Sequence, residues 1–176
     1  MSPVSALVLI QALDDRRQEL FESLEGLSPE ALQARPAAGA WSMLEVIEHL
    51  VVAEQVILHG LPDPASLVER PRSLRQRCTY SLVVLILRFG IPVKVPSRRM
   101  LPTGSVPLAE LRARWDATFR WLCAYAEGLP PDGGDPAVFT HPVSGPITLR
   151  QALRLDGLHL EGHARQLRRL QPRRPA

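Results

Sequence analysis

The sequence predicts an all-α fold: a four-helix bundle with an extra helix in the long crossover between the second and third bundle helices. Three observations predict it. Apolar residues recur at three- and four-residue spacing along four long stretches. Capping residues and Pro/Gly punctuation bound those stretches. No segment reads convincingly as a strand. Amphipathic helices must bury their apolar stripes against one another, and a bundle is the economical solution. The chain has 176 residues, 45% of them apolar, so it suits a single domain, 1–176, with a core of its own.

The first helix runs from about Val4 to Leu24. Leu7, Leu9, Ile10, Leu13, Leu20, Phe21 and Leu24 form its apolar stripe, and Asp14, Asp15, Arg16 and Arg17 are expected to face out. A short turn follows, with Ser28 as N-cap and Pro29 at the first helical position. The second main helix opens on a capping box, Ser42 with Glu45 three residues on, and ends near His59-Gly60. Trp41 precedes the cap, where it can staple the helix start against Val46.

The extra helix covers about Ser73 to Phe89. Its run Ser81 to Val93 is the most apolar in the chain. It is too short to span a bilayer and contains Arg88, so it is read as a buried helix. An irregular stretch from Gly90 to Gly104 follows, rich in proline, and long loops of this kind are often functional. The next bundle helix runs from about Pro107 to Glu127. A second Pro/Gly-rich loop spans Gly128 to Pro146. The last helix starts at Thr148, with Gln151 completing another capping box, and continues to about Leu170, where Pro172 stops it. Leu153, Leu160 and Leu167 repeat every seven residues and mark a packing seam.

Composition narrows the function classes. The net charge is only +3, and much of the excess lies in Arg165, Arg168, Arg169, Arg173 and Arg174. A basic tail can meet nucleic acid or anionic lipid, but arginines near a helix C-terminus also suit its dipole. Aromatics are 5% and do not interleave with the basic residues, so no nucleic-acid partner is expected. No membrane partner is expected either. Met1-Ser2-Pro3 has no basic leader pattern, and the two cysteines, Cys78 and Cys123, lack metal or redox spacing. They read as reduced, buried thiols of a cytoplasmic protein.

The chemistry concentrates in three histidines. His159 and His163 are four apart in the last helix and so share a face. His49 lies on the second helix, on the face of Glu45 and Ala53. An HxxxH pair with one distant His is a minimum set for an open three-nitrogen metal site. Zinc suits three imidazoles, and nickel or iron is also compatible. Three protein ligands leave a position for water or a substrate atom, whose acidity the metal raises. Glu45, Glu48 and Asp156 are candidates for orienting a histidine or for general-base work. Glu45 is alternatively consumed by its capping box, and Glu48 alternatively faces solvent. His59, about 280° around the helix from His49, and His141, before Pro142 in a loop, are not expected to be ligands.

These residues resemble a known family. Trp41-Ser42-Met43-Leu44-Glu45-Val46-Ile47-Glu48-His49-Leu50 is similar to the start of the second helix in DinB-like proteins. There, a Trp-Ser pair and a capping Glu precede the first ligand His. His141-Pro142-Val143-Ser144-Gly145-Pro146, then Thr148-Leu149 and the His159/His163 pair, resemble the end of the same fold. The resemblance implies a DinB-type bundle, often a homodimer, with a divalent metal (zinc or nickel, or iron or manganese) on His49, His159 and His163. It implies a small-molecule substrate. Relatives include S-transferases that use low-molecular-weight thiols such as bacillithiol or mycothiol, a thiol-dependent maleylpyruvate isomerase, and proteins labelled metal-dependent hydrolases. The expectation is a thiol-dependent S-transferase. A hydrolase on the same site, and a non-catalytic stress-associated module with a vestigial site, are the alternatives. The insertion from Leu61 to Pro102 departs from the leanest members and is placed to roof the site.

Overall fold

The computed structural model describes residues 1–95, 97–130 and 134–171. The predicted helix stop Pro172 and the tail residues Arg173 and Arg174 lie outside the described residues, as does Pro96. The elements in order are α1 (Pro3–Glu22), α2 (Pro29–Gln33), α3 (Met43–Leu58), α4 (Leu74–Phe89), α5 (Leu108–Glu127), β1 (Ala137–His141), β2 (Gly145–Thr148) and α6 (Leu149–Leu170). Two 3-10 turns, Pro64–Ser66 and Arg98–Met100, lie in the crossovers.

Helices α1, α5, α3 and α6 pack in that order around a ring, each against the next. This is the four-helix bundle, and α4 is the extra helix in the crossover from α3 to α5, lying outside the ring against α6. The helix starts follow the local chemistry. Ser2 and Ser28 cap α1 and α2, each followed by proline. Reciprocal capping boxes open α3 (Ser42/Glu45), α4 (Ser73/Gln76) and α6 (Thr148/Gln151).

The core has two main parts. One gathers Phe21, Leu24, Ile47, Val51, Trp115, Leu160 and Leu167, and the other gathers Ile10, Leu122, Tyr125, Val138, Leu149 and Leu153. The seven-residue seam Leu153, Leu160, Leu167 is therefore buried along its length. Tyr80 and Val84 attach α4 to Leu155 of α6 and to Ile147.

Four expectations are corrected. The loop before α6 contains an antiparallel hairpin, with Thr140 opposite Pro146 and His141 opposite Gly145. Pro142, Gly145 and Pro146 disguised it. Yet Val138 and Ile147 are good strand residues with a buried place to go. Gly145 makes the turn at φ +69°, and a Cβ there would fall 2.4 Å from the Gln76 side chain.

The second correction concerns α1, where Arg17 faces inward and is buried. It forms ion pairs with Asp14 and with Asp116, the latter at 2.6 Å, and lies 5.7 Å from the Trp115 ring. Charge partners on α1 and α5 make the interior tolerable for a guanidinium.

The third and fourth corrections concern α4 and the cysteines. The Ser81–Val93 run is not a buried helix, because only one side of α4 meets α6 and Leu82, Leu85, Phe89, Ile91 and Val93 are exposed. Cys78 is exposed on the same helix and Cys123 is half-buried, both as free thiols.

Candidate metal centre

Helix α3 is buried on every side over Met43–Val51, so it lies deep in the bundle and carries His49 in with it. Helix α6 brings His159 and His163 one turn apart to the same place. The three offer ligand atoms that all lie within 4.8 Å of one another. The Nε2 atoms of His49 and His159 are 3.3 Å apart, and those of His163 and His159 are 3.1 Å apart.

The outer nitrogens decide which way the inner ones face. His49 Nδ1 lies 2.7 Å from the Met100 carbonyl oxygen, which can only accept, so Nδ1 carries the proton. His163 Nδ1 lies 2.9 Å from Gln166 Oε1 and is likewise the donor. In the neutral rings both Nε2 atoms then present lone pairs. His159 Nε2 can donate one proton to one of them at most. The other contact is then left without a hydrogen bond, and in the opposite tautomer of His159 both contacts set lone pairs face to face, arrangements that a cation relieves. Tetrahedral zinc with nitrogen bonds of about 2.0–2.1 Å needs ligand atoms about 3.3–3.4 Å apart, close to the two separations found.

All three imidazoles are held neutral. Burial, and then the neighbouring His163 and His49, push His159 down to about 3. Burial pushes His163 down to about 4 against the opposing effect of Gln166, and lowers His49 against the Met100 carbonyl. Neutral imidazole is the metal-binding form. Trp41 closes one side: its ring is 4.8 Å from that of His49 and is stacked 6.4 Å from that of His163. Its indole thus reaches the histidines themselves.

The three candidate carboxylates are already engaged. Glu45 accepts from the Ser42 N–H at 2.9 Å and from Arg35 at 2.5 and 3.0 Å. Burial opposes its ionisation, but these donors together hold its carboxyl below the usual range. Glu48 accepts from the Thr103 hydroxyl at 2.7 Å and the Gly104 N–H at 2.6 Å. Gly104 has φ +73°, and a Cβ there would come 3.2 Å from Glu45. Glu48 thus ties α3 to the segment whose Met100 carbonyl orients His49.

Asp156 faces Glu54 of α3 in a polar layer that also holds Arg17 and the Trp115 indole, whose N–H donates to Glu54 at 2.6 Å. Burial, and then the Asp156 charge, raise Glu54 well above its usual range. Burial pushes Asp156 up to about 6. Each carboxyl is thus harder to ionise than an exposed one, Glu54 more so than Asp156.

The two excluded histidines stay apart. His59 caps the C-terminal end of α3 in an exposed position, and His141 Nδ1 accepts the Val143 and Ser144 N–H groups in the hairpin turn. Sequence reasoning missed Met100, Glu54 and Arg17. Met100 acts through a backbone carbonyl and leaves no side-chain signal. Glu54 had one, an acid in the apolar run Leu50–Leu58.

The chain is 24% identical over 163 residues to the uncharacterized protein YuaE of Bacillus subtilis (strain 168), a match covering 89% of this chain and 93% of that one. No solved structure matches it significantly. The family model described as the DinB superfamily matches residues 12–167, a span that begins in α1, contains all of α3 and α5, and reaches into the last turn of α6 with all three histidines. The helix order, the capped α3 with His49 and the His159/His163 pair agree with that match, and the chain belongs to the DinB superfamily.

Proposed function

We infer that His49, His159 and His163 hold a divalent metal through Nε2 and that the protein is a metal-dependent enzyme acting on a small molecule. The observation that carries this reading is the convergence of three neutral imidazoles, two of which are fixed with lone pairs inward. Zinc or nickel suits an all-nitrogen set, and iron or manganese is also compatible. Bound there, the metal supplies a Lewis acid that ionises a thiol or water near neutral pH. The chain's own residues orient and shield. Met100 and Gln166 set the two imidazoles, Glu48 anchors the 103–104 turn, and Trp41 keeps water from one side.

Within that class, thiol-dependent S-transfer is the favoured reaction. Glu45, Glu48 and Asp156 each have other partners, so none stands ready as a general base. A thiol, with an ordinary pKa of about 8.5, needs far less help to ionise than water does. Hydrolysis on the same site is the second reading. A non-catalytic module with a vestigial site is the third.

Metal analysis and zinc titration of the purified protein test the first step. The expected result is stoichiometric binding, weakened by about a hundredfold or more in His159→Ala. If no divalent metal binds, both enzyme readings fall and the non-catalytic module remains. The metal-loaded protein is then offered an electrophile with and without a panel of low-molecular-weight thiols. Consumption only with thiol supports S-transfer, whereas turnover without thiol establishes hydrolysis instead.

A further inference from the structure

The outward side of α4 has no partner in the bundle. Tyr80 and Val84 face α6, and on the opposite side Leu74, Leu82, Leu85 and Phe89 project outward, with Ile91 and Val93 continuing the patch. Leu74 is 76% exposed and Phe89 72%. Six large apolar side chains gathered on one helix and its extension form a surface that soluble monomers rarely leave open.

Charge says what kind of partner fits. Residues 70–109 contain eight basic residues and not one acidic residue, whereas the rest of the chain has thirteen basic against eighteen acidic. Arg75, Arg77 and Arg88 flank the apolar stripe, and Lys94, Arg98 and Arg99 follow it, all exposed. None of these six forms an ion pair among the described residues. A second copy of this face would bring like charges together. Nucleic acid would match the arginines but leave the leucines and Phe89 without a role. An anionic bilayer answers both, taking the apolar side chains below its headgroups and the arginines among its phosphates. A single helix on the outside of the bundle is also convex, which suits a flat lipid surface better than an acidic peptide that needs a groove.

We propose that the outward face of α4, with residues 91–94, is a peripheral docking surface for anionic lipid bilayers. This goes against the expectation of no membrane partner, which concerned a spanning segment; the face lies on the surface without crossing, since no described helix is long and apolar enough to span a membrane. The patch also meets the helix and the crossover that carry the metal centre. Arg165, two residues beyond His163, donates to the Arg88 carbonyl at 3.3 Å, and the chain leaving the patch runs directly into the Arg98–Met100 turn that orients His49. The surface itself does not depend on the metal reading.

Vesicle co-sedimentation of the 176-residue chain tests the proposal. The vesicles are phosphatidylcholine alone, and phosphatidylcholine with phosphatidylglycerol at about three to one. The protein is expected to pellet with the anionic vesicles, to stay in solution with the neutral ones, and to be released by high salt. Replacing Arg75 and Arg77 with glutamine should weaken binding about fivefold for each arginine. Leu82→Ser with Phe89→Ser should weaken it about tenfold or more. Both sites are exposed, so circular dichroism and zinc affinity should stay unchanged. Three results overturn the proposal: no sedimentation with anionic vesicles, sedimentation unaffected by both variants, or a dimer in light scattering that the Leu82/Phe89 variant converts to monomer. Capture of an acidic helical peptide without vesicle binding overturns it too.

Discussion

His49 Nδ1 donates a 2.7 Å hydrogen bond to the carbonyl oxygen of Met100, 51 residues further along the chain. That bond fixes the tautomer of His49 and aims its Nε2 at the other two imidazoles. The acceptor sits in a 3-10 turn held to α3 by Glu48, through the Thr103 hydroxyl and the Gly104 N–H. The crossover is therefore part of the metal centre as well as a connection.

Gly104→Ala tests that dependence. The residue occupies a left-handed conformation, and a Cβ would press on Glu45. The substitution should cost about 1–2 kcal/mol of stability. It should also weaken zinc binding by about tenfold, because the Met100 carbonyl shifts from its place. Urea unfolding and a zinc competition titration measure the two effects separately. Unchanged zinc affinity in a destabilised variant would show that the turn does not position His49.

Metal affinity should depend on pH in a way set by burial. Free histidine titrates near 6.5, but His159 and His163 are pushed down to about 3 and about 4. A lowered pKa means that protons compete with the metal only in acid. Zinc affinity should therefore stay nearly level from about pH 7.5 to about pH 5.5, where an exposed three-His site would already lose roughly a hundredfold or more. A steep loss centred near pH 6.5 would mean that the imidazoles are open to water.

The Glu54/Asp156 pair contributes a pH dependence of the opposite sign. Both carboxyls have raised pKa values, so between the unfolded and folded values the native state binds more protons than the unfolded chain. The contribution to stability is full below about pH 4 and declines as pH rises through the folded values. The buried histidines act the other way: being lowered, they contribute stability at neutral pH that is lost as pH falls below about 6.5. Glu54→Gln removes the Glu54 share of the first effect and leaves the Asp156 share, which burial causes, together with the second. Relative to the unmodified protein, this variant should gain stability as pH rises from about 5 to about 8 in urea unfolding. Parallel stability profiles would mean that burial does not raise the Glu54 carboxyl.

Much of the architecture can be read along the chain because it is written in local chemistry. Ser42 and Glu45, or Thr148 and Gln151, define a helix start through bonds that span three residues. The Leu153/Leu160/Leu167 seam names the buried side of α6, and one helical turn joins His159 to His163. The hairpin was hidden for the converse reason. Its strands Ala137–His141 and Gly145–Thr148 are short, interrupted by proline, and held by what they pack against.

The sequence alone determined the helices and their caps, which depend on residues within a turn or two of one another, and from the helix pattern and residue types it named the bundle class and the three histidines as a candidate set. Only the tertiary structure decided that His49 meets the other two, that Met100 and Trp41 complete the surroundings, that Glu45, Glu48 and Asp156 are engaged elsewhere, and that the apolar run of α4 points outward. Those outcomes depend on which helix faces which. Helical periodicity shows that α4 has sides, but only the packing of Tyr80 and Val84 against α6 shows which side is left to the surroundings.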